Sequence, residues 1–313
     1  MSLEVKELSK KYGEKTVVDN LNFVMNEPGV YALLGTNGAG KTTSLRMMLG
    51  MLAHDTGEVL WKGKPLDAVT CNVGYLAEER GLYPKYSLMD QLLYFASLRN
   101  VPKGEAQKRI KYWAERFEVE EYIYPGKTSK GKKIPPKKPE QLSKGNQQKI
   151  QLISALISDP ELLILDEPLS GLDPVNTDLF KSVIHEQIAK EKFLIMSSHQ
   201  MPTIEEFCTD ITILNRSKTV LQGNLNDIKK SYGRVNLFVK CEGDILPLAE
   251  ECGVNLISQK ETEYQFKVTG DDQANELLSK IIANRIVVVK FELREPSLHE
   301  IFVEKVGAVN EEK

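Results

Sequence analysis

The segment Gly35-Thr-Asn-Gly-Ala-Gly-Lys-Thr42 constrains this chain more than any other stretch. It fits G-x-x-x-x-G-K-[ST] and lies directly between an apolar, strand-like run, Val30–Leu34, and an apolar segment of helical character, Thr43–Leu52. Glycines let a backbone wrap tightly enough for successive N–H groups to point at phosphate oxygens, and a helix start adds partial positive charge. Gly35, Asn37, Gly38, Gly40, Lys41, Thr42 and Thr43 are therefore candidate contacts to a nucleotide. In that setting Lys41 neutralises charge on the β- and γ-phosphates and Thr42 offers its hydroxyl to Mg2+. A glycine-rich turn with no ligand is the plain alternative, and the flanking strand and helix argue against it.

Such a loop needs a carboxylate at the end of a neighbouring buried strand to hold the metal. Leu162-Leu-Ile-Leu-Asp166 supplies one, and Glu167 follows at once. A carboxylate one residue past the metal-holding aspartate is placed to orient or deprotonate an attacking water beside the γ-phosphate. Alone, Asp-Glu after an apolar strand could be a solvated turn. Paired with the loop upstream, it points to a nucleotide hydrolase.

The rest of the chain suits this reading. Short β-like runs open it at Leu3–Leu8 and Thr16–Val24. Helical patterns follow at Leu88–Leu98, Glu105–Phe117, Gln147–Ile157 and Val175–Ala189, with strand-like Glu161–Leu165 and Phe193–Met196 between. This alternation predicts a largely parallel α/β sheet. After about Lys230 the pattern changes: Val235–Cys241, Tyr264–Val268 and Ile286–Leu293 read as strands, and Ala274, Leu277, Leu278, Ile281 and Ile282 trace one helical face. Ser297-x-x-Glu300 is a capping box that opens a last helix with Leu298, Ile301 and Phe302 inward. The expected division is a nucleotide-binding domain over residues 1–230 and a small α+β domain over 231–313. The stretch Gly126–Pro139, rich in Lys, Pro and Gly, reads first as a solvated loop. As a contact to anionic lipid headgroups each of its lysines would contribute about 1 kcal/mol.

Composition excludes more than it selects. The 41 basic and 44 acidic side chains leave a net charge of −3 and are mixed along the chain, so no nucleic-acid polycation is indicated and no nucleic-acid partner is expected. Cys71, Cys208, Cys241 and Cys252 lack metal or disulfide spacing, which fits buried small hydrophobes in a reducing compartment. The N-terminus alternates apolar and charged residues, unlike a secretory signal, and no run is long enough for a membrane helix.

Further motifs carry a resemblance. Leu142-Ser-Lys-Gly-Asn146 looks like the L-S-G-G-Q signature of the ATP-binding cassette (ABC) ATPases, Ser170-Gly-Leu-Asp173 matches their D-loop, and Ser197-Ser-His199 their switch histidine. Tyr12 is similar to the aromatic that stacks on adenine, and Gly74-Tyr-Leu-Ala-Glu78-Glu resembles the Q-loop with Glu78, or Glu79 in the adjacent register, where glutamine is usual. The resemblance spans roughly residues 1–230. It implies a P-loop ATPase core with antiparallel β and helical subdomains, plus the small C-terminal α+β domain, with ATP and Mg2+ as cofactors. It also implies two cassettes facing head to tail, so that Ser143 and Gly145 of one contact the γ-phosphate held by the other, Asp173 couples the sites, and His199 senses the γ-phosphate. Lys144 and Asn146 depart from the signature. Lys144 would bring a cation near the polyphosphate, and Asn146 could order a helix starting near Gln147. Glu78 could still ligate Mg2+ through oxygen.

Glu78-Glu-Arg-Gly-Leu-Tyr-Pro84 and Glu295-Pro-Ser-Leu-His-Glu-Ile-Phe-Val303 resemble bacterial exporter cassettes of the sodium- and drug-efflux type. That resemblance implies a peripheral subunit on the cytoplasmic face of the membrane, paired with a second cassette and a separately encoded integral membrane permease. The alternative is a non-transport cassette acting on ribosomes or DNA. Its relatives usually carry two cassettes or a long coiled coil, and this chain has one phosphate loop and no sustained heptads.

Overall fold

The structure is a computed structural model that describes residues 2–67, 71–79, 81–124, 126 and 136–311, with side chains described as far as residue 307. It comprises two compact units, Met1–Gln200 with Glu206–Gln222, and Met201–Glu205 with Gly223–Lys313.

The first unit opens with β1 (Leu3–Tyr12), β2 (Lys15–Met25) and β3 (Gly29–Gly35), and then α1 (Lys41–Met48). There follow β4 (Thr56–Trp61), β5 (Lys64–Pro65) and β6 (Val73–Leu76). The helical part is α2 (Leu88–Leu98), α3 (Lys103–Arg116), α4 (Glu120–Ile123) and α5 (Lys144–Leu156). The chain returns through β7 (Leu162–Asp166), α6 (Pro174–Ala189) and β8 (Phe193–Ser198), lends α7 (Met201–Glu205) to the second unit, and adds β9 (Asp210–Asn215) and β10 (Lys218–Asn224).

One sheet runs β5-β4-β1-β2-β10-β9-β3-β8-β7-β6. Its first four strands pair antiparallel, and β9, β3, β8, β7 and β6 pair parallel. The two halves differ in burial for a physical reason. β7 and β8 are buried at every residue, as strands covered on both faces must be, whereas β1 mixes buried and exposed positions. A single apolar cluster takes Leu45, Met47 and Met48 of α1 together with residues of both halves, among them Leu3, Phe23, Trp61, Ile164 and Ile195. The parallel register aligns the carboxyl ends of the strands: Leu76 lies beside Leu165, Asp166 beside Ser197, Leu33 also beside Ser197, and Gly35 beside Leu214. Loops leaving those ends are the natural place for a ligand in an open α/β sheet.

The second unit has α7, α8 (Leu225–Tyr232), β11 (Asn236–Glu242), α9 (Leu246–Glu251), β12 (Asn255–Lys260), β13 (Glu263–Lys267), α10 (Asp271–Ala283), β14 (Val287–Arg294) and α11 (Leu298–Glu311). Its antiparallel sheet, ordered β12-β13-β11-β14, buries Leu237, Val239 and Phe266 against Ala274, Leu277 and Ile281 of α10. The apolar stripe of α10 is narrower than its sequence suggested: Ile282 is 61% exposed, because a single small sheet covers only the centre of the stripe. Ser297 and Glu300 do form the reciprocal capping box, and Leu298 and Ile301 are buried while Phe302 is half-buried.

The units divide between Gln222 and Gly223, ahead of the expected 230/231 boundary, because α8 goes with the second unit. Cys241 and Cys252 are buried as expected, whereas Cys71 and Cys208 are only partly so, and among the described residues none of the four is in a disulfide. Most of the lysine-rich loop lies outside the described residues; within it, Lys137 sits 4.3 Å from the ring centre of Tyr122.

Candidate functional site

The turn from β3 into α1 is shaped by two glycines. A Cβ on Gly35 would come 2.6 Å from the carbonyl oxygen of Leu214, and one on Gly40 would come 2.5 Å from that of Val17. Gly40 also takes φ +108, outside the range of ordinary side chains, and stands at the N-cap of α1. The first turn of α1 therefore opens, with its free N–H groups, into a cleft of about 270 Å3 lined by Val17, Thr36, Asn37, Gly38, Gly40, Lys41, Thr42, Thr43, Glu78 and Glu167.

Lys41 is buried, and its ammonium donates to the carbonyl of Gly35 at 2.8 Å and faces Glu167 Oε1 at 3.4 Å. Thr42 Oγ1 donates to Asp166 Oδ1 at 3.3 Å, and Ser197 Oγ donates to the same oxygen at 2.5 Å. Ser197 Oγ in turn accepts from the backbone N–H of Glu167 at 2.9 Å. The left-handed backbone at Glu167, φ +49, turns its carboxylate out of the strand direction into the cleft. The second oxygen of Glu167 lies 2.9 Å from His199 Nδ1. Glu167, itself buried, thus stands between a lysine ammonium and an imidazole.

Asp166 carries the electrostatic tension of the site. Burial pushes its carboxyl above the ordinary value, and the neighbouring charge of Glu167 pushes the same way, against the hydrogen bonds from Ser197 and Thr42. Its Oδ2 is buried without a hydrogen-bond partner. A buried orphan carboxylate oxygen beside a threonine hydroxyl is a donor set that suits a hard divalent cation such as Mg2+. Among the described residues no group of three or more His, Cys, Asp or Glu forms a self-sufficient metal cage.

The remaining candidates divide. Both Glu78 and Glu79 are exposed; Glu78 lines the cleft, and Glu79 lies 4.0 Å from Arg46. Tyr12 ends β1 with its ring 54% exposed and does not line the cleft. Ser143, Gly145 and Asp173 do not line it either, but they are gathered with one another. Asn176 N–H donates to Asp173 Oδ1 at 2.9 Å, and a Cβ on Gly145 would meet the same asparagine's amide nitrogen at 3.3 Å. Two expectations about the signature are corrected. α5 begins at Lys144 rather than near Gln147, with Ser143 as its cap at 3.3 Å from Asn146 N, while the Asn146 amide turns to the Tyr122 hydroxyl. Lys144 lies along Gly171 of its own D-loop, its ammonium 2.7 Å from where a Cβ would stand there.

Ser197 is the functional-site residue whose contacts the sequence did not reveal. The only available signal is its place two residues before His199 on a buried strand. Val17, which lends a carbonyl to the close approach of Gly40, carries no sequence signal at all.

Together, the parallel core, the glycine turn and the paired carboxylates define a phosphate-loop nucleotide-binding protein. Comparison with known proteins narrows this. The family described as "ABC transporter" matches residues 18–170, and "ATP-binding protein DrrA1-3-like, C-terminal domain" matches residues 223–306. An uncharacterized ABC transporter ATP-binding protein of Bacillus subtilis, YhaQ, is 42% identical over 99% of this chain and 100% of its own length. The Nod factor export ATP-binding protein I of Ralstonia nicotianae is 30% identical over 72% of this chain and 68% of its own. A solved ATP-binding subunit of an ABC transporter superposes with a TM-score of 0.64 at 28% identity, covering 74% of this chain and 93% of the other. The chain belongs to the ABC transporter ATP-binding proteins, a family of ATPases.

Proposed function

We propose that this chain is the ATP-hydrolysing subunit of an exporter, bound at the cytoplasmic face of a membrane to a separately encoded permease and working as one of two paired cassettes. The observation that carries the hydrolytic part is the convergence of Lys41, Thr42, Asp166, Glu167 and His199 at the carboxyl ends of the parallel strands. Lys41 exchanges its contacts to Gly35 and Glu167 for phosphate oxygens, and Gly35, Asn37, Gly38, Gly40 and Thr43 surround the polyphosphate through backbone and side-chain donors. Thr42 and Asp166 would hold Mg2+, with Glu78 as a further oxygen donor lining the same cleft. When bound, Mg·ATP supplies the electrophilic phosphorus and the charge neutralisation that hydrolysis requires. Glu167, released from Lys41, takes the proton of the attacking water, and His199 holds the glutamate and the γ-phosphate in line. Tyr12, exposed beside the loop strands, offers a face for adenine.

Pairing is supported by the division of the site. Ser143, Gly145 and Asp173 lie together but away from the cleft of their own chain, so a second cassette is needed to bring a signature to the phosphates. The positive end of α5 then points at the partner's anion. The exporter role is supported by the likeness to a Nod factor export ATP-binding protein and by the DrrA-like C-terminal match. Among the described residues no helix is long and apolar enough to cross a membrane.

Gentle isolation of the tagged chain from membranes tests this. Recovery of an integral membrane protein in stoichiometric amount is the expected result. Recovery of ribosomes or DNA without a membrane protein would replace transport by a non-transport role.

A further inference from the structure

Three tyrosines of the first unit are too exposed to belong to its core: Tyr83, Tyr86 and Tyr94 are open to solvent at 48%, 62% and 49%. They are gathered nonetheless. The ring centre of Tyr83 lies 6.2 Å from that of Tyr86 at 79°, and 6.4 Å from that of Tyr94, on α2, at 68°. Rings set at such steep angles form walls rather than a stacked column. With Asp90 and Gln91 they line a cavity of about 340 Å3, and none of these five residues lines the nucleotide cleft.

The walls are fixed from behind by Gln91, which is only 2% exposed. Its Oε1 accepts from the Tyr83 N–H at 2.7 Å, and its Nε2 donates to the carbonyls of Tyr83 and Tyr86, each at 3.0 Å. The Tyr86 N–H donates to the Tyr83 carbonyl at 3.3 Å and closes the turn. Phe95 supports the Tyr83 ring, stacked at 6.1 Å and 19°. A buried amide used in this way holds exposed rings in place before any ligand arrives, which lowers the ordering cost of binding.

Asp90 gives the cavity its sign. It accepts from the Ser87 hydroxyl at 2.5 Å at the start of α2, no lysine or arginine shares the lining, and among the described residues it has no ion pair. Aromatic faces carry the negative end of a quadrupole, so three rings and a carboxylate attract a cation and disfavour an anion. A neutral apolar guest would use the rings and leave the carboxylate unanswered. A strongly hydrated metal ion would use the carboxylate and gain little from the rings. An ammonium clothed in alkyl groups meets both. We propose that this cavity is a binding site for a small organic cation of the alkylammonium class, held by the faces of Tyr83, Tyr86 and Tyr94 and balanced by Asp90. Its occupancy requires neither ATP nor a second cassette.

The experiment is an NMR titration of the full chain carrying labelled tyrosine, without nucleotide, using tetramethylammonium and choline as probes. Saturable shifts of the Tyr83, Tyr86 and Tyr94 ring signals are expected, while the core Tyr31 stays fixed. The uncharged alcohol in which carbon replaces the choline nitrogen has the same shape, and it should bind about tenfold more weakly. Two variants separate charge from surface. Asp90→Asn keeps the rings and an oxygen for Ser87, and Tyr86→Ala removes the most exposed ring; each should weaken choline about fivefold or more. Absence of a saturable shift in wild type, equal affinity for the uncharged alcohol, or undiminished affinity in both folded variants would overturn the proposal.

Discussion

Asp166 is held in a contradiction that only a ligand resolves. Its carboxyl is pushed above the ordinary value by burial, and one of its oxygens has no partner. A carboxyl raised in the folded state binds its proton more tightly there than in the unfolded chain. Its effect is a loss of stability as pH rises from the ordinary carboxylate value through the raised one. Asp166→Asn removes the buried charge. Without nucleotide it should therefore be more stable than wild type at neutral pH by about 1 kcal/mol, roughly 2–4 °C in Tm. The difference should vanish below the ordinary carboxylate range, and Mg2+-dependent ATP binding should be lost. Melting curves against pH check this; equal Tm values at neutral pH would contradict it. At this scale the sequence is legible where chemistry fixes the spacing, as at Lys41, Thr42, Asp166 and Glu167. Ser197 is different, because its value comes from lying beside Asp166 across two strands, a register no local pattern records. The choice between Glu78 and Glu79 is likewise a matter of which side of an irregular loop faces the cleft.

α5 shows how far element boundaries depend on a cap. Periodicity located the helix but began it at Gln147, because Lys144, Gly145 and Asn146 carry no apolar signal. Ser143 begins it earlier by accepting from Asn146 N, which leaves the hydroxyl at the head of the helix, where the proposed partner phosphate would lie. Ser143→Ala should cost about 1 kcal/mol in urea unfolding from the lost cap. ATPase turnover should fall by more than that cost explains, tenfold or more, if, as proposed, the same hydroxyl faces the partner's nucleotide. Unchanged turnover would leave Ser143 only its capping role. The fully buried strands β7 and β8 were legible as continuous apolar runs. β5 and β12 were not, the first because it has two residues and the second because it is exposed along its whole length.

At the scale of the whole molecule, the proposed function makes this chain one of two paired cassettes. One group of residues surrounds the phosphate loop, and a second, Ser143, Gly145 and Asp173, lies together elsewhere on the same unit. The change of character after Lys230 announced a second unit, but its edge and its claim on α7 were invisible, since a five-residue helix has no periodicity to read. The central claim is that Mg·ATP joins the two groups across paired copies, and hydrolysis parts them. Glu167→Gln should preserve nucleotide binding while slowing hydrolysis on the order of a hundredfold or more, so the joined state accumulates. Sedimentation of this variant with and without Mg·ATP is the direct measurement. A shift from the 35.3 kDa chain to twice that mass on adding Mg·ATP is expected, reversed by removing the nucleotide. A variant that binds one ATP per chain and stays at 35.3 kDa would contradict the claim.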